Sequence, residues 1–150
     1  MNRMNIFILG LASFLLTSIA GCASVDLCGD EPRLACASRL IASDRFDEAY
    51  ATLLPMANAN SGEAQLAIAM IVANGHGEAT AKGADVQTRQ RAAYPWIEKA
   101  AKNGETQAIS WLADGYKHGW FGLVVNTEME QCLRQIVKQR IGSVERCRAR

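Results

Sequence analysis

From residue 33 onward, the apolar positions of this chain recur at the three-to-four-residue spacing of helices buried along one face. Leu34 to Ala42 carries apolar or small residues at that spacing, and Arg45 to Met56 aligns Phe46, Ala49, Tyr50, Leu53 and Leu54 in one stripe. Ser43-Asp44 stands between them as a cap, so the two segments predict a helical hairpin. After the breakers of 58–62, Glu63 to Asn74 is helical by pattern and stops at Gly75 and Gly77. A polar loop from Glu78 to about Thr88 leads to a helix over Gln90 to Asn103, in which Pro95 is discordant. A proline there either sits in the first turn of a helix that starts near Tyr94 or bends a longer one. Gly104 ends this helix, Glu105 to His118 forms the next, and Gly119 stops it. An apolar loop, Trp120 to Val125, is followed by Asn126-Thr127 as the cap of a last helix, Glu128 to about Arg140. No strand pattern interrupts the series, so the expected class is all-α.

The N-terminus follows a different logic. Arg3 precedes an apolar run from Ile6 to Ala20, fifteen residues long. A membrane-spanning helix needs about 20 apolar residues, whereas the apolar region of a signal peptide needs about 7 to 15. Segment 1–21 therefore predicts a cleaved export signal. Its end, Ile19-Ala20-Gly21-Cys22, resembles the lipobox of bacterial lipoproteins: an aliphatic residue, two small ones and the lipid-accepting cysteine. The resemblance implies that Cys22 becomes the lipidated first residue of a mature chain of 129 residues, anchored by its acyl chains. Ala23 stands where Asp would retain a Gram-negative lipoprotein at the inner membrane. The expected location is thus the periplasmic face of the outer membrane. Residues 22–33 read as a lipidated tether, 34–142 as the helical domain and 143–150 as a basic tail.

Export changes the meaning of the cysteines. In an oxidising compartment, Cys28, Cys36, Cys132 and Cys147 read as disulfides rather than thiols. Of three possible connectivities, the local pairs Cys28–Cys36 and Cys132–Cys147 are favoured, because each closes a short segment at one end of the chain. Zinc is the weaker reading: there is no Cys-x-x-Cys, and the histidines are His76 and His118 alone. No metal or other cofactor is expected.

The helices also repeat. Ala64, Ile68, Val72 and Gly75 superpose on Ala108, Leu112, Tyr116 and Gly119 at an offset of 44, and Ala92, Trp96 and Ala100 on Met129, Leu133 and Val137 at an offset of 37. Ala92, Trp96, Lys99-Ala100-Ala101 and Gly104, followed by Ala108, Leu112, Tyr116 and Gly119, resemble the Sel-one-like repeat family, relatives of the tetratricopeptide repeats. The likeness covers about 62–142. It departs from the family pattern at Val72, where Tyr is preferred, and at Val137-Lys138, where an Ala-Ala pair is preferred. The resemblance implies a short α-solenoid of about three helical hairpins that binds proteins or peptides, with no general catalytic residues.

Charge and chemistry narrow the function. Sixteen basic against fifteen acidic residues leave a formal net charge of +1, which argues against dedicated nucleic-acid binding. Ser110, Asp114 and His118 fall on one helical face, but three residues of one helix do not converge on a substrate atom. No catalytic set is expected. Trp120 and Phe121 are surplus to the single aliphatic plug, Leu123 or Val124, that such a turn requires. Aromatic residues in a loop are candidate partner anchors; their alternative is to fold back over the last helix. Trp111 is a third candidate. The end of the chain, with Lys138, Arg140, Arg146, Arg148 and Arg150 against Glu145, reads first as a solvated basic tail and second as a contact for an acidic partner or anionic envelope polymer. The expectation is a lipid-anchored periplasmic adaptor or scaffold. Its alternatives are an immunity protein that neutralises a toxin delivered to the periplasm and, more remotely, an envelope-modifying enzyme.

Overall fold

The computed structural model describes residues 28–140 and 142–148. The signal segment and the first half of the tether, 22–27 with Cys22, lie outside them. The described residues form seven helices and no strand: α1 (Arg33–Ala42), α2 (Phe46–Asn58), α3 (Gly62–Ala73), α4 (Val86–Lys102), α5 (Thr106–His118), α6 (Thr127–Gln139) and a single turn, α7 (Glu145–Arg148). A short 3-10 turn, Trp120–Gly122, lies between α5 and α6.

Each helix packs chiefly on its neighbours in sequence, and successive helices run antiparallel. Gly62, at the start of α3, lies against Ala100 and Asn103 at the end of α4, while Gly75, just past α3, lies against Arg89 in the first turn of α4. The backbone N–H of Asn126, ahead of α6, donates to the carbonyl of Tyr116 near the end of α5. This alternation gives the fold two ends. The base holds the start of α1 and the three-residue turns 59–61 and 103–105. The loop end holds the longer connections, 74–85 and 119–126.

Small residues allow the close packing. Ala49, Ala64, Ala69, Ala93, Ala100, Ala108 and Ala113 are fully buried, interleaved with Leu40, Leu53, Ile68, Ile71, Ile97 and Leu133. Alanine at a helix contact presents little bulk, so the axes approach and the larger side chains interdigitate between them. Gln65 is the one buried polar side chain among the described residues, and it is satisfied across the base: its amide donates to the Ala57 carbonyl and accepts from Asn103 Nδ2. Both local cysteine pairs are at disulfide distance. Cys28–Cys36 fastens the end of the tether to the first turn of α1, and Cys132–Cys147 fastens α7 to α6.

Three local expectations are corrected. Ser43-Asp44 does not cap α2: the Ser43 hydroxyl donates back to the Arg39 carbonyl, ending α1, and Asp44 takes a left-handed conformation in a tight turn. The helix expected from Gln90 or Tyr94 begins at Val86, with the Asp85 carboxylate accepting from the N–H and hydroxyl of Thr88, so Pro95 lies inside it. The basic end is solvated only in part: Lys138, Arg140 and Arg146 are exposed, but Val144 and Cys147 are buried and Arg148 reaches the Glu98 carboxylate on α4.

Candidate functional site

Two of the three aromatic candidates, Trp120 and Phe121, lie together at the loop end, whereas Trp111 lies near the middle of α5. Gly119 ends α5 in the left-handed conformation (φ 73°), which an L side chain adopts only under strain. Phe121 is itself left-handed (φ 60°), an unusual state for a bulky residue. The combination reverses the chain within a few residues and sorts its apolar side chains. Phe121 and Leu123 turn inward, on either side of Gly115, where a Cβ would lie 3.0 Å from the Phe121 ring and 2.9 Å from a Leu123 methyl. Leu123 is therefore the plug. Trp120, Val124 and Val125 remain outside, at 45%, 84% and 60% exposure.

The turn rests on α4 and α5, with Gly122 against the Arg91 side chain, rather than folding back over α6. Trp120 stacks on His118 (ring centroids 4.9 Å) and meets Phe121 edge-on (6.5 Å), so its ring is held at the surface by one aromatic on each side. Trp111 shares a helical face with Gly115 and His118 and is half-buried against the core. Of the three candidates, Trp120 presents the most exposed ring; Phe121 supports it from below.

The remaining exposed large hydrophobics among the described residues extend the same end of the fold: Met70 in the second half of α3, and Val86, the first residue of α4. This concentration was not evident from the sequence. The alternating direction of the helices is what gathers α3, α4 and the 120–125 loop at one end.

Ser110, Asp114 and His118 each face a separate partner. Ser110 Oγ donates to the Thr106 carbonyl, Asp114 pairs with Arg134 at 2.8 Å and His118 stacks on Trp120. His76 stacks on Phe46 at 4.5 Å. A groove of about 470 Å³ between α5, α6 and α7 is lined by Tyr116, Met129, Gln135 and the Cys132–Cys147 pair. Close to Arg148 on its rim, the Tyr94 hydroxyl is pushed up to about 12 by burial and by the Glu98 carboxylate. Glu98 is itself held below its ordinary value, because the Arg148 and Lys102 cations outweigh its partial burial. These shifts arise from an ion-paired seam that fastens α7 to α4. Among the described residues, no three His, Cys, Asp or Glu side chains converge to hold a metal. No described helix is long and apolar enough to cross a membrane.

Compared with protein-family models, curated proteins and solved structures, the chain gives no significant match.

Proposed function

We propose that this protein is a lipid-anchored periplasmic interaction module, an adaptor or scaffold, whose loop end receives a protein partner. The observation that carries the reading is the gathering of Met70, Val86, Trp120, Val124 and Val125 at one end of an otherwise well-buried fold. An aromatic anchor held rigid by its neighbours loses little conformational freedom on binding, and exposed apolar side chains around it exclude water from the contact. Sequential antiparallel packing, the aligned repeat positions and the buried alanines support a short α-solenoid of three hairpins resembling Sel-one-like repeats, with α1–α2, α3–α4 and α5–α6 as its units. The lipobox resemblance at 19–22 supports anchoring through Cys22 at the outer membrane, which would raise the local concentration of the module for a membrane-bound partner.

The test combines fractionation with capture. Cys22→Ala should release the protein from membranes; continued membrane association would overturn the anchor. A Trp120→Ser, Val124→Ser double variant should lose the captured partner while retaining helical circular dichroism. Retained capture would overturn the assignment of the loop end.

A further inference from the structure

The base of the fold, opposite the proposed partner surface, has its own character. Its connections 59–61 and 103–105 are three residues each, shorter than 74–85 and 119–126 at the loop end. It carries none of the exposed large hydrophobics of the described residues. At its C-terminal corner, Lys138, Arg140 and Arg146 are exposed and make no ion pair among the described residues; the Arg146 guanidinium lies over the turn at Gly142. The cations beside them, Arg148 and Lys102, are instead neutralised by Glu98 and Glu145. Arg33 adds a further exposed cation at the start of α1. Asp30, Glu31, Glu63 and Glu105 are the acids toward the other corner; Glu31 is paired with Arg39, and Glu105 is occupied in capping α5.

The tether emerges on this side. Cys28 is fastened to the first turn of α1, and the six residues from Cys22 to Cys28 span at most about 20 Å. The loop end lies a helix length away, about 20 Å for the thirteen residues of α5.

We infer that the base faces the membrane and that Lys138, Arg140 and Arg146 engage anionic phospholipid headgroups, orienting the domain with its aromatic loop pointing away from the bilayer. The inference rests on the lipid-anchor reading for the direction of the tether. A cationic corner without exposed apolar anchors among the described residues suits reversible adsorption to a charged lipid surface, since protein interfaces concentrate their binding in buried aromatic and aliphatic anchors. The two ends thereby divide the work: the base sets orientation, and the loop end recognises the partner.

The experiment uses the full-length lipidated chain reconstituted into vesicles of phosphatidylcholine, with or without phosphatidylglycerol, and bearing a photo-crosslinking residue at Gln139 or at Val124. Flotation with neutral vesicles reads the anchor alone. Crosslinking to phosphatidylglycerol reads the orientation. The expected result is an adduct at 139 that exceeds the adduct at 124 by at least about tenfold, because each of the three cations at an anionic surface contributes up to about fivefold. Raising the salt concentration should remove most of the difference. Lys138→Glu, Arg140→Glu and Arg146→Glu together should abolish the preference while flotation persists, and the corresponding Gln substitutions should weaken it partially. Equal labelling at the two positions, or labelling at 139 that is indifferent to charge and salt, would overturn the proposal even if flotation succeeds. Failure to float on neutral vesicles, with charge-dependent labelling at 139 retained, would overturn the anchor and leave the lipid-binding base standing. An unlabelled base that instead crosslinks to an acidic protein in cells would assign these cations to a protein contact.

Discussion

Two loops at the same end of the molecule have opposite designs. The α3–α4 connection, 74–85, spends its interacting groups on contacts with α2 and α4. His76 stacks on Phe46, the Asp47 carboxylate accepts from the Gly77 N–H and from Lys82 at 2.8 Å each, Glu78 accepts from Trp96 Nε1 at 2.6 Å, and Ala81 is fully buried. The Asp47 carboxyl is held below its usual range by Lys82 and by the Gly77 amide. The α5–α6 connection, 119–126, holds one ring inside and leaves Trp120, Val124 and Val125 outside, on a backbone strained at Phe121. One loop fastens α2, α3 and α4 together. The other leaves its apolar surface unspent, as expected of a segment whose partner is another molecule.

Substitutions can break this contrast. The largest effect is expected at Gly77, where φ is +76° and a Cβ would lie 2.7 Å from Cγ of the Tyr50 ring. Gly77→Ala should lower stability by about 3 kcal/mol, combining left-handed strain with overpacking, as read by urea unfolding. Opening Cys132–Cys147 by a double Ser substitution should remove a similar amount, about 3 kcal/mol for a loop of this length, and free α7 without disturbing the loop end. Trp96→Phe, which leaves the Glu78 carboxylate without its indole donor and puts a smaller ring beneath Lys99, should lose about 1–2 kcal/mol. Gly115→Ala should destabilise less, because the flexible Leu123 side chain can yield; its signature is displacement of Trp120, seen as a changed emission maximum. The smallest effect belongs to Trp120→Ser, within about 0.5 kcal/mol of the parent, since an exposed ring contributes little to the fold. A large loss there would place Trp120 in the class of the 74–85 loop.

The sequence was most legible where a helix end depends on local chemistry. Gly75, Gly104 and Gly119 stop helices where expected, and Asn126 accepts from the Met129 N–H as the cap of α6. It was least legible where tertiary contacts decide. The first turns of α4 read Val-Gln-Thr-Arg-Gln-Arg, with no apolar stripe, and the signal that locates them is the spacing of Asp85 and Thr88. Pro95 masked it. Arg148 looked like a solvated charge because its partner, Glu98, is 50 residues away in sequence. Within the five apolar positions from Trp120 to Val125, inside and outside were set by the left-handed residues 119, 121 and 122, which periodicity does not reveal.

The C-terminal seam adds a pH dependence that sharpens the contrast from the other end. Tyr94 titrates at about 12 when folded and near 10.0 when unfolded, so its contribution is present below pH 10 and is lost as pH rises from 10 to 12. Glu98, held below its ordinary 4.5, contributes above that value and is lost as acid protonates it. Tyr94→Phe should flatten the alkaline limb of the unfolding profile, and Glu98→Gln the acid limb. Neither should alter partner capture.

The most direct measurement is site-specific photo-crosslinking in intact cells, with the reactive residue placed at Trp120 or, in the companion loop, at exposed Lys82. A discrete protein adduct at 120 with none at 82 is the result expected of a partner surface confined to the α5–α6 loop. No adduct at 120, or the same adducts from both positions, would contradict it.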